Sequence, residues 1–349
     1  MILKNLTIFF VVLYFLTACS EAPELIQNNN PDKYSVARDV LWASPDGFDL
    51  TMDIYTPSSG KDSYPVIIIY HGGGWLINNK SIMDQMSAYL ATNSEYVVAN
   101  VNYRLLGDND NSVTLNQIID DALGAVVWVK HNIEPFKGDP SRVIVTGDSA
   151  GGHLSASVVN MGGNISSDNN FPSSLKFTPS YLPPGTTAEQ IAASGGMQVQ
   201  AAILSYGAFD VYQGSRNGFE SWTNPFWLFS GSLARGIFGD GYNVDDHADM
   251  YQAASPVYHI PASDNRSLPP QLLTAGSADG LVTPESVQQY QRDLQAAGHH
   301  AEYWEYQDRG HAFLDSGSNA VLGSSFEDDA PVALDVMIAF LNGIFYPAL

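Results

Sequence analysis

The chain has 349 residues, 45% of them hydrophobic, which is enough to bury a sizeable α/β core and is unlike a disordered or fibrous sequence. Lys and Arg number 15 against 37 Asp and Glu, a net charge of −22, and a surface that acidic argues against nucleic acid as a partner because like charges repel.

Residues 1–18 carry one lysine, an apolar stretch from Leu6 to Leu16 and then the small Ala18, a signal-peptide layout too short for an ordinary membrane span. The only cysteine, Cys19, follows at once. The run Leu16-Thr17-Ala18-Cys19 resembles the lipobox of bacterial lipoproteins, which implies that the Cys19 sulfur is acylated and the bond before it is cut. The expectation is an exported protein held at the cell envelope or surface through the lipid on Cys19 and by no other membrane contact, with plain secretion as the alternative. Residues 19–38 are read as a tether, since 20–36 are polar, Asn-rich and aperiodic.

From 39 to 349 the pattern is that of one α/β domain. "ARDVLWAS" and "DLTMDIYTP" are strand-like, and "PVIIIYH" is a continuous apolar run, as in a strand covered on both faces. Helical stretches near 79–94 and 114–132 alternate with "YVVANVNYRL" and "RVIVTGDS". That alternation predicts a parallel sheet with helices on both sides. Two long insertions interrupt it, 162–197 and 208–258. The second carries Phe219, Trp222, Phe226, Trp227, Phe229, Phe238 and Tyr242, most of which are expected to form the private core of a cap, with a minority facing a pocket. "QLLTAGSADG", a helix near 284–297, "AEYWEYQ" and a closing helix near 327–345 complete the pattern.

Gly147-Asp148-Ser149-Ala150-Gly151 fits G-x-S-x-G and lies where a strand gives way to a helix. A serine presented there needs a sharp turn, and glycines two positions to either side remove the side chains that would collide. Upstream, His71-Gly72-Gly73-Gly74-Trp75 ends another strand, and unobstructed amides of Gly73 and Gly74, with that of Ala150, suit an oxyanion hole.

HGGGW, Tyr103-Arg104-Leu105, GDSAGG and a late Asp and His together resemble the hormone-sensitive-lipase-like carboxylesterases of the α/β-hydrolase superfamily and the related bacterial acetyl and feruloyl esterases. The resemblance spans roughly residues 40–345. It implies a mostly parallel eight-stranded sheet, a Ser-His-Asp triad, no cofactor and a cap over the site. The acid loop, Ser277-Ala278-Asp279-Gly280, departs from the lipase-like branch and points toward the carbohydrate-esterase relatives. Tyr103 and Arg104 are implied to brace the glycine loop.

In this fold the order is Ser, acid, His, all at the C-terminal edge of the sheet. His311 follows a strand and meets that condition. His299 and His300 precede it and are expected to be solvent-facing turn residues. Asp279 is the preferred acid, with Asp210 a competitor and Asp308 less well placed. Asp148 and His153 are read as structural supports of the elbow. The acidic stretches "GDNDN" and "GDGYNVDDHAD" lack the spacing of an EF-hand, so no metal is expected. The expected function is serine carboxylic ester hydrolysis through Ser149, His311 and Asp279, on short-chain or carbohydrate-linked acetyl or feruloyl esters. A serine peptidase, or a binding protein on a hydrolase scaffold, is the alternative.

Overall fold

Residues 33–167 and 176–347 are described by a computed structural model, so the expected signal peptide and Cys19 lie outside the described residues. The strands of the main sheet are β1 (Tyr34–Ala43), β2 (Leu50–Pro57), β3 (Tyr64–Tyr70), β4 (Val97–Val101), β5 (Gly138–Asp148), β6 (Ala201–Ser205), β7 (Gln271–Gly276) and β8 (Ala301–Tyr306). Their spatial order is β1-β2-β4-β3-β5-β6-β7-β8. β2 is antiparallel to both of its neighbours, and from β4 to β8 every pairing is parallel. The main helices are α1 (Asp84–Asn93), α2 (Leu115–Asn132), α3 (Ala150–Met161), α4 (Ala188–Ala193), α5 (Val211–Arg216), α6 (Pro225–Ser230), α7 (Ala248–Ala253), α8 (Pro284–Ala296) and α9 (Phe326–Phe345).

The continuous apolar run of β3 has a simple physical basis. Side chains alternate across a strand, so Val66, Ile68 and Tyr70 enter one core while Ile67 and Ile69 enter the other. The first core receives Ile118, Ile119 and Ala122 of α2, Leu154 and Val158 of α3, and Val287, Tyr290 and Leu294 of α8. The second receives Met86 and Leu90 of α1 and Leu334, Met337 and Leu341 of α9. Helix starts follow their local signals: Thr114 and Gln117 cap α2 reciprocally, and the Thr283 hydroxyl accepts from the Ser286 amide at α8.

The first strand begins at Tyr34, inside the stretch read as tether. It is an edge strand with a mixture of exposed and half-buried residues and with Tyr34 and Trp42 buried, and its register shifts between Ala37 and Val40 and between Leu41 and Ala43. The shifts lie within "ARDVLWAS", which is strand-like in the sequence; what the tether reading misses is the start, where Tyr34, Ser35 and Val36 pair with Pro57, Thr56 and Tyr55.

The two insertions attach differently. In the first, the Thr178 amide donates to Asp120 (2.8 Å) and the Ser180 hydroxyl to Asp121, both on α2. The second contains α5, α6 and α7. Its aromatics do not make a private core: Trp227 and Phe238 are buried in the same core that holds α2 and α3, with Phe219, Phe226 and Tyr242 partly buried against it. Trp222 and Phe229 point outward, at 77% and 56% exposed. The insertion is too small to bury this many rings by itself, so it completes its packing against the domain beneath.

Candidate active site

At the end of β5 the backbone turns sharply into α3. Ser149 sits at the turn with φ 52° and ψ −114°, a conformation costly for a residue with a side chain. The surroundings hold it there. The Ser149 amide donates to Ser205 O (2.9 Å), and its carbonyl accepts from Ala208 (3.2 Å) and His153 (3.1 Å). A Cβ on Gly151 would lie 1.8 Å from Tyr70 O, and one on Gly147 would lie 2.4 Å from Gly151. The flanking glycines are therefore required by close approach of backbone to backbone, as the spacing predicted.

The glycine loop follows β3. Gly73 and Gly74 have φ of 118° and 59°, and Gly73 O accepts from the amides of Leu76 and Ile77 (3.1 Å each). Among the described residues, no hydrogen bond engages the amides of Gly73, Gly74 or Ala150. The loop lies against the elbow, since a Cβ on Gly72 would meet Asp148 Oδ2 at 2.2 Å. Tyr103 braces the loop from behind. Its hydroxyl donates to His71 O (2.6 Å), and its ring stacks on the His71 ring at 4.3 Å. Arg104 does not share that task. Its guanidinium and amide hold Asp121 of α2, at 2.7 to 2.9 Å, and reach Asp46 (3.0 Å), so it joins β4 to the helix layer instead.

At the same edge of the sheet the loops after β7 and β8 meet. His311 Nδ1 lies 2.7 Å from Asp279 Oδ2, and both residues are buried, His311 at 9% exposed like Ser149. The other carboxylate oxygen of Asp279 accepts from the amides of Leu281 (2.8 Å) and Val282 (3.0 Å). These bonds fix the carboxylate plane and leave one oxygen for the imidazole. The competing acids are occupied elsewhere: Asp210 caps α5 by accepting from the Gln213 amide (2.9 Å), and Asp308 is exposed at a turn with φ 60°. His299 is buried rather than solvent-facing, wedged 2.6 Å from Pro261 O, whereas His300 is exposed.

His153 and His71 are structural and neutral. Burial pushes both imidazoles from an ordinary value of 6.5 down to about 4. His153 Nε2 bonds Ala254 O (2.8 Å), and its ring meets the Trp75 ring edge-on at 5.0 Å. The unfolded chain binds more protons than the folded one between these values, so this contribution to stability is complete above 6.5 and lost as pH falls toward 4. His153→Gln takes up no such proton. In urea unfolding at about pH 6.5 and about pH 4.5, the variant is expected to lose about 2 kcal/mol less than the wild type.

Two neighbours of the site carry no motif. Tyr206, just past β6 with φ 36°, sets its ring 4.7 Å from that of His311. Its position at a strand end on the correct edge is the one signal that marks it. Phe226 of α6 lies over Gly74, within 3.1 Å of where a Cβ would be, and nothing in the sequence ties those two residues together.

Comparison with known proteins agrees with this architecture. The solved structure of Thermogutta terrifontis esterase 2 phosphonylated by sarin superposes with a TM-score of 0.63 at 22% identity, covering 90% of this chain and 96% of that one, and identifies the fold as that of the α/β-hydrolases. Carboxylesterase NlhH of Mycobacterium tuberculosis is 34% identical over 134 residues, 38% of this chain and 39% of the relative. The probable isoprenylcysteine alpha-carbonyl methylesterase ICMEL2 of Arabidopsis thaliana is 25% identical over 267 residues, 75% of this chain and 54% of the relative. The chain thus spans between about two fifths and a little over half of the length of these curated relatives. The family model named BD-FAE matches residues 52–294, a stretch that runs from β2 into α8 through the glycine loop, the Ser149 elbow and Asp279, and the chain belongs to that family.

Proposed function

We propose that the protein is a serine carboxylic ester hydrolase. The observation that carries the reading is the 2.7 Å bond from His311 to Asp279 at the sheet edge that also bears the strained Ser149. Ser149 Oγ attacks the ester carbonyl carbon while its proton passes to His311 Nε2. Asp279 holds the Nδ1 proton and stabilises the imidazolium. The amides of Gly73, Gly74 and Ala150 donate to the tetrahedral oxyanion, aided by the N-terminus of α3. Collapse breaks the bond to the alcohol, which leaves with the proton from His311. Water, deprotonated by the same ring, then releases the acid and restores Ser149. No cofactor enters these steps.

We assign the substrates to short-chain or carbohydrate-linked acetyl and feruloyl esters. The departure of the acid loop from the lipase-like pattern supports this, and the exposed rings of Trp222 and Phe229 suit stacking on sugar or phenolic groups. The names of the relatives, a carboxylesterase and a methylesterase, support ester bonds over amides. A lipid on Cys19 would hold the enzyme at the envelope surface, where such substrates are met.

One preparation of the full exported chain tests these points together. After treatment with a fluorophosphonate, peptide mass spectrometry is expected to find the adduct on Ser149 and a lipid on Cys19. A panel of acyl chain lengths, acetylated xylan, feruloyl esters and aminoacyl amides is expected to favour short and carbohydrate-linked esters. Preference for amides would make it a peptidase, and absence of any adduct would leave a binding protein.

A further inference from the structure

A cavity of about 560 Å³, a volume suited to a small ligand, lies beside the candidate active site. One wall is the segment after β4, at 107–111, and the other is 231–235 of the second insertion with Asp240. Both walls lead back to the glycine loop. The Leu106 amide donates to Trp75 O (2.8 Å), one residue past Gly74. On the other side, α6 sets Phe226 over Gly74 and is capped by Gly231, about 8 Å further along the helix at its usual rise per residue.

The two walls are fixed to each other through backbone. The buried Arg235 guanidinium donates to Asn111 O (2.7 Å), Leu106 O (2.8 Å), Val113 O (2.6 Å) and Gly236 O (2.8 Å), and Asn111 Nδ2 donates to Leu233 O (2.9 Å). These bonds tie down Asn109, Asp110 and Asn111, three successive left-handed residues at φ 49°, 57° and 62°. A wall held in this way loses little freedom when a ligand arrives. The groups left over are those that can bind: the carboxylates of Asp110 and Asp240 and the hydroxyl of Ser232 make no hydrogen bond among the described residues.

Charge narrows the ligand. Asp110 and Asp240 repel an anion, and the net charge of −22 adds to the repulsion. The Arg235 guanidinium in the same wall repels a metal ion. A neutral polyol meets neither penalty, since its hydroxyls donate to carboxylates. Apolar surface for the C–H faces of sugar rings is also at hand. Leu233 is 82% exposed in the wall, and Phe229, 56% exposed, follows Phe226 by one turn on the same side of α6.

We propose that this cavity binds a sugar unit of an oligosaccharide whose ester group lies at Ser149, with Asp110 and Asp240 accepting hydrogen bonds from its hydroxyls. The inference deepens the carbohydrate-ester reading and rests on it. Phe229 and Leu233 support the rings along the way. Asp110 and Asp240 set specificity and take no part in the chemistry.

The test compares acetylated xylotetraose with p-nitrophenyl acetate as substrates of the wild type and of the double variant Asp110→Gly, Asp240→Ala. Glycine suits the positive φ at position 110, so the wall is expected to keep its shape. The variant is expected to raise KM for the acetylated oligosaccharide about tenfold at unchanged kcat, while p-nitrophenyl acetate, too short to reach the cavity, is turned over as before. An unchanged KM for the oligosaccharide, or an equal loss on both substrates, overturns the proposal. A wild type that hydrolyses p-nitrophenyl acetate and leaves the acetylated oligosaccharide intact removes the carbohydrate reading and the subsite with it. If the variant does not fold, hydrogen exchange of the wild type with unesterified xylotetraose decides: protection is expected at 107–111 and 231–240, and its absence there overturns the subsite alone. Protection of the same segments by calcium chloride and not by the sugar makes the cavity a cation site, which also overturns it.

Discussion

Ser149→Ala is expected to lower kcat/KM for p-nitrophenyl acetate by about 10⁴- to 10⁶-fold, while the thermal midpoint moves by only a few degrees. The two readouts separate because they depend on different atoms. The fold at the elbow depends on backbone: the Ser149 amide on Ser205 O, its carbonyl under Ala208 and His153, and the absence of Cβ atoms at Gly147 and Gly151. None of these involves Oγ. Alanine takes up the same positive φ with the same strain as serine, so the turn is expected to persist. The chemistry, by contrast, has no substitute for Oγ, since Cys19, the only thiol in the sequence, precedes the described residues. Steady-state hydrolysis and a calorimetric scan on the same sample check both halves. Near-normal turnover in this variant would remove the acyl-enzyme reading.

Asp279→Asn is the second large effect, a loss of about 10³- to 10⁴-fold in kcat with the fold intact. Asp279 Oδ1 already accepts from the amides of Leu281 and Val282, so the asparagine carbonyl oxygen must occupy that side and its NH₂ must face His311. An NH₂ opposite Nδ1 forces that nitrogen to accept. The proton of the neutral ring then sits on Nε2, the nitrogen that should take the proton of Ser149. The variant is thus held in the wrong tautomer by two backbone amides unrelated to catalysis. Comparing kcat with the unfolding midpoint checks the claim, and a variant that loses stability in proportion to activity would argue that Asp279 is only a structural clasp.

The features that could be read in advance share one property: their cause is local. The apolar run of β3, the glycines around Ser149 and the position of His311 after β8 all follow from periodicity, turn chemistry or chain order. What escaped depends on distant partners. His299 precedes a strand as a turn residue would, yet it is buried by Pro261 and Leu268, contacts that leave no trace in the residues beside it. Arg104 adjoins Tyr103, but its carboxylate is Asp121, a helix away. Tyr34 to Val36 extend the strand read at "ARDVLWAS" because they pair with Tyr55 to Pro57, partners that the polar composition around them does not reveal.

The ring of Phe226 resting on Gly74 bears on how the protein ages under heat. That ring belongs to α6, a helix of only six residues, anchored by the buried Trp227 while Leu228 and Phe229 face water, and so short a helix is expected to open at lower cost than the sheet. Loss of α6 uncovers the glycine loop while the strands remain paired. Heat inactivation is then expected to begin at this small clamp, and effort to slow it belongs in residues 219–233 rather than in the strands.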